Sequence, residues 1–83
     1  MNKLTYSENI GLIANCPTIE KSYRTKEALL EEYEKFKATW MAIVSYNPME
    51  YSTTEINEDG VKAFGLSVNI GNTVITRVVT IEF

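Results

Sequence analysis

Apolar positions along this 83-residue chain follow two different periods, with a weakly patterned stretch ahead of both. Over residues 25–46, Leu29, Tyr33, Phe36, Trp40 and Ile43 or Val44 recur at three- and four-residue steps, the spacing of one face of a helix. Leu30 and Met41 widen that stripe. Thr25 offers an N-cap oxygen, and Glu27 places negative charge in the first turn, where the helix dipole favours it. Glu31 and Lys35 stand four residues apart on the polar side and can pair. Asn47-Pro48 ends the run, because proline excludes the helical conformation from its predecessor. A competing reading stops the helix near Lys37 and makes 39–46 a strand, since that stretch is apolar on both alternating faces. The single long helix is preferred.

The last third of the chain changes to a period of two. Phe64, Leu66, Val68 and Ile70 alternate with Ala63, Gly65, Ser67 and Asn69, as in a half-buried antiparallel strand. Residues 73–83 are rich in β-branched side chains and form the next strand. Residues 51–57 supply another, with poorer alternation. Asp59-Gly60 suits a type I′ hairpin turn, and Gly71-Asn72 suits type II′. A two-residue turn at Gly71-Asn72 pairs Ile70 with Thr73, Val68 with Ile75, Leu66 with Arg77 and Phe64 with Val79. Gly65 then faces Val78 on the opposite side. The helix is expected to cover the Phe64/Val79 face.

Residues 1–24 are less regular. Residues 3–6 read as a short strand. Ser7 ahead of Glu8-Asn9-Ile10 reads as the cap of one helical turn carrying Ile10, Ile13 and Ala14. Asn15-Cys16-Pro17 ends it. The fold class expected is therefore α+β: one amphipathic helix on a three-stranded or four-stranded antiparallel sheet, forming a single domain over 1–83.

Composition narrows the chemistry. An apolar fraction of 45% is ample for a packed core, and disorder is not expected. The sequence has no histidine and one cysteine, so Ser–His and Cys–His pairs cannot form and one thiol cannot build a zinc site. No catalytic residues, metal or cofactor are expected, and the chain is read as no enzyme. With no secretory leader, no apolar run of spanning length and no disulfide, the expected place is the cytoplasm, or a host cytoplasm for a viral protein.

Charge is unevenly distributed. Residues 1–26 carry four basic against two acidic side chains; residues 27–59 carry eight acidic against two basic, within a formal net charge of −3. The acidic middle could meet a basic partner, although a solvated helix face and a hairpin tip are the usual explanation of such runs. Candidate protein-binding residues are Tyr46, Met49, Glu50 and Tyr51 around Pro48, with Glu55, Glu58 and Asp59 beyond. A second reading places phosphate contacts at Lys21, Arg24 and Lys26, a thin footprint for nucleic acid on an acidic domain.

Three further residues have rival readings. Arg77 falls on the apolar face beside Leu66, either as a guanidinium aimed at a ligand or partner, or as a residue returned to solvent by a β-bulge or a long reach. Cys16 reads as a packed residue rather than a reactive thiol. Trp40, with Phe36 and Tyr33, reads as core. The final strand, if it lies at the sheet edge, would invite another chain, and a homodimer through an edge strand or a helix face is expected. The function expected is that of a small protein-interaction module, such as an inhibitor or accessory factor of phage or mobile-element type. The alternative is a small dimeric nucleic-acid-binding regulator.

Overall fold

The computed structural model describes residues 2–10, 14–15 and 19–83. Its elements are β1 (Lys3–Ile10), β2 (Ala14–Asn15), β3 (Ile19–Ser22), α1 (Lys26–Tyr46), β4 (Tyr51–Glu58), β5 (Val61–Ile70) and β6 (Thr73–Glu82). The protein is α+β, one helix on one antiparallel sheet. Both β2 and β3 pair with the same edge of β1, so five positions cross the sheet in the order β2/β3, β1, β6, β5, β4.

The helix forms where its pattern places it. Thr25 is the N-cap, and its hydroxyl oxygen accepts from Ala28 N–H at 3.1 Å. Asn47 closes the other end, its N–H donating to the Val44 carbonyl. Residues 39–46 are helical throughout. Leu29, Tyr33 and Trp40 are buried, while Leu30, Phe36, Ile43 and Val44 pack partly buried against the same core. Met41 does not widen the stripe; it is an exposed residue.

Beneath α1 lie Leu4, Phe64, Leu66, Val79 and Ile81, all buried. Burying each such side chain contributes roughly 1.5–3 kcal/mol relative to exposure. Tyr6, Phe36, Trp40 and Phe64 form an aromatic chain from β1 across the helix to β5, with centroid separations of 5.7, 5.8 and 6.0 Å along it. Trp40 and Phe64 are therefore core, with Tyr6 and Phe36 packed partly buried against them.

The β5–β6 register is the one expected from the turn, with Leu66 opposite Arg77 and Gly65 opposite Val78. No bulge returns Arg77 to solvent. Gly71 has φ +62, as the first central position of a type II′ turn requires. At Asp59-Gly60 the expectation needs correction: Gly60 alone has positive φ, at +81, whereas type I′ demands it at both central residues. The signs fit a type II turn, in which Asp59 keeps an ordinary φ.

One expectation fails in the N-terminal third, and with it another made of the last strand. Ser7 to Ile10 are not a helical turn but the second half of β1, paired residue by residue with Val78 to Ile75 of β6. Long-range ladder bonding outweighs the local capping preference of serine. The same pairing encloses β6 between β1 and β5, so the last strand is not an edge and cannot recruit another chain. The true edges are β4 and the β2/β3 side. The readings of Cys16 and Ile13 fall outside the described residues.

Candidate functional site

The seven residues singled out as a protein-binding set do not converge. Tyr46 is the last residue of α1, and Met49 sits in the turn that follows; they are 85% and 95% exposed. That turn is tight because the Asn47 carbonyl accepts from both Glu50 N–H and Tyr51 N–H, at 3.2 and 3.3 Å. Glu50 is exposed and Tyr51 half-buried at the start of β4. Glu58 and Asp59 lie at the far end of β4, exposed. An extended strand rises about 3.3 Å per residue, so roughly 23 Å separates Tyr51 from Glu58.

Glu55, midway along β4, accepts from the Lys37 ammonium of α1 at 2.6 Å. This hydrogen bond, helped by a second from Asn57, holds the Glu55 carboxyl below its ordinary value. The same bond raises the Lys37 ammonium. Glu55 thus fastens the edge strand to the helix. Below it the Tyr33 hydroxyl is buried without a hydrogen-bond partner among the described residues. Burial first, and the Glu55 charge second, push that phenol up.

Across the sheet, β4 pairs with β5 on one side only, and no described strand pairs with its outer edge. That edge offers unpaired backbone donors and acceptors along eight residues.

At the Tyr51 end a cleft of about 110 Å³ opens between the helix and the sheet, lined by Ile43, Tyr51, Leu66, Val68, Ile70 and Ile75 together with Arg77. The pattern placed Leu66, Val68 and Ile70 on the apolar face without revealing that α1 leaves this corner uncovered. Ile70 is 59% exposed there. Arg77 Nε stands 3.6 Å from Glu8 Oε2, and that oxygen also accepts from the Tyr6 hydroxyl at 3.1 Å. Tyr46 follows Ile43 by less than one helical turn, and Met49 precedes Tyr51 by two residues. Among the described residues, Tyr46 and Met49 are the most exposed large apolar side chains, and neither lines the cleft itself.

The basic residues of the nucleic-acid reading are dispersed in their roles. Lys21 on β3 borders a second cleft of about 220 Å³, with Leu4, Tyr6, Ile19, Tyr23 and Phe36. Lys26 holds its ammonium 4.6 Å from the centre of the Phe83 ring, a cation–π contact. Arg24 is exposed in the bend before α1.

Among the described residues no group of three acidic or sulfur side chains is arranged to hold a metal ion. No described helix is long and apolar enough to cross a membrane. No family model, no curated protein and no solved structure matches this chain.

Proposed function

We propose that this chain is a small, non-enzymatic protein-interaction module acting in a cytoplasm, of the inhibitor or accessory-factor kind that phages and mobile elements encode. Its binding surface begins at Tyr46 and Met49 and continues along the outer edge of β4. One observation carries the reading: two large apolar side chains, 85% and 95% exposed, lie in the short segment from the end of α1 to the head of an edge strand with no described partner on its outer side. Methionine and tyrosine are enriched in interface cores, and a free edge accepts a partner strand through main-chain hydrogen bonds. Glu50, Glu58 and Asp59 along that edge favour a partner strand carrying lysine or arginine, and oppose self-pairing in registers that align them. A second copy adding to β4 would appear as a dimer mass in solution.

The test is affinity capture from the native host with three baits: the wild-type chain, a Tyr46→Ser/Met49→Ser variant, and a Glu27→Gln control on the exposed start of α1. A protein held by wild type and control, and lost by the double variant, is expected. Equal retention by all three would remove this surface from consideration.

A further inference from the structure

The geometry points to the chemistry that the cleft beside Arg77 recognises: an aliphatic side chain with a carboxylate next to it, presented by a protein partner. This rests on the reading of that end of the molecule as a protein-binding surface.

A guanidinium on an apolar sheet face needs a reason to be there. Arg77 occupies an unbulged position of the central strand β6, directly opposite buried Leu66, and its side chain is 41% exposed. Its stem can lie along the apolar floor while the charged head remains open. The pairing with Glu8 leaves that head incompletely used. The 3.6 Å separation between Nε and Glu8 Oε2 exceeds hydrogen-bonding distance, and that Glu8 oxygen already accepts from Tyr6. Among the described residues, the terminal Nη groups hydrogen-bond to no side chain or carbonyl. Arginine presents these donors as a planar fork that fits a carboxylate through two parallel bonds.

The remainder of the cleft selects the body of the ligand. Its other lining residues are aliphatic apart from Tyr51. At about 110 Å³ it is smaller than the roughly 150 Å³ cavity that takes up benzene, so it suits one aliphatic side chain. Tyr46 and Met49, exposed between Ile43 and Tyr51 in the chain, offer further apolar surface to the rest of a partner chain.

The full-length chain, labelled with ¹⁵N, is titrated with N-acetyl-leucine, which joins an aliphatic side chain to a free carboxylate, and separately with N-acetyl-leucinamide, which lacks the charge. The acid is expected to bind with a dissociation constant on the order of millimolar, as befits so small a ligand. Its shifts should centre on Leu66, Val68, Ile70 and Arg77, with the amide at least about tenfold weaker. Arg77→Gln, checked by its own dispersed spectrum, should weaken the acid to the level of the amide. Arg77→Lys, which keeps the charge without the fork, is the second variant should the first not fold, and it should fall between the two. Glu8→Gln, which removes the competing carboxylate, should tighten binding. Equal binding of acid and amide, undiminished binding by both Arg77 variants, or no shifts at about 50 mM would overturn the assignment. Capture of a host protein that still depends on Tyr46 and Met49 would then leave the interaction surface standing and remove only the carboxylate chemistry.

Discussion

Lys37 on the helix donates to Glu55 on the edge strand at 2.6 Å, joining the two elements that bound the acidic edge. The bond depresses the Glu55 carboxyl below its ordinary 4.5, so the unfolded chain binds this proton more readily than the folded one. Stability from this group is therefore fully present above about pH 4.5 and is lost as pH falls through the lower, folded value. Glu55→Gln should remove that part of the acid dependence. Urea denaturation at pH 7 and in the acid range should show the variant's deficit at neutral pH shrinking as the pH falls. A deficit that stays constant would mean the bond does not form in solution.

Tyr33 carries a buried hydroxyl with no partner among the described residues. A buried polar group left unpaired costs about 1–3 kcal/mol. Tyr33→Phe removes the group and keeps the ring, so midpoint stability should be unchanged or higher by up to about 1 kcal/mol. A loss of more than that would show that the hydroxyl has found a water or side-chain partner.

The two hairpin glycines should respond differently to a methyl group. Gly60 has φ +81, and an added Cβ would lie 3.1 Å from the Phe83 carbonyl oxygen; Gly71 has φ +62 with open space around it. A left-handed conformation costs a non-glycine residue about 1–2 kcal/mol. Gly71→Ala should lose about that much, and Gly60→Ala more, because the Gly60 carbonyl also receives the Phe83 N–H at 2.9 Å. Thermal melts of the two variants give the ranking.

Tyr46 and Met49 should be dispensable for folding. Exposed substitutions away from caps and core usually stay within about 0.5 kcal/mol, so Tyr46→Ser/Met49→Ser should melt close to wild type. A large loss would show that these side chains pack in solution, and would return them to the core.

Much of this fold was legible in the sequence wherever local rules and tertiary packing agreed. The helix, its cap at Thr25 and its stop at Asn47-Pro48 followed from spacing alone. The β5–β6 register followed from one turn and the alternation around Leu66, and with it the place of Arg77 on the apolar face. Ser7-Glu8-Asn9 failed because a capping signal is local, whereas the partner of that segment is β6, at the other end of the chain. Asp59-Gly60 identified a turn but not its type, since glycine at the second position serves type II as readily as type I′. The cleft was not legible. Its walls come from α1, β4, β5 and β6, and only the path of the helix across the sheet decides which corner stays open.

The enclosure of β6 between β1 and β5 has a consequence for the order of assembly. Both β4–β5 and β5–β6 are hairpins closed by two-residue turns, and neighbours of this kind meet quickly. Pairing β1 with β6 joins Lys3 to Glu82 and must first close a loop of almost the whole chain. The meander and the helix can form ahead of that step, which leaves the Leu4 and Tyr6 side of the core to be completed last. Interactions absent from the transition state act on the unfolding rate. Substitutions that weaken the β1–β6 seam are therefore expected to speed unfolding more than they slow folding, which stopped-flow rates of a Leu4→Ala variant would read.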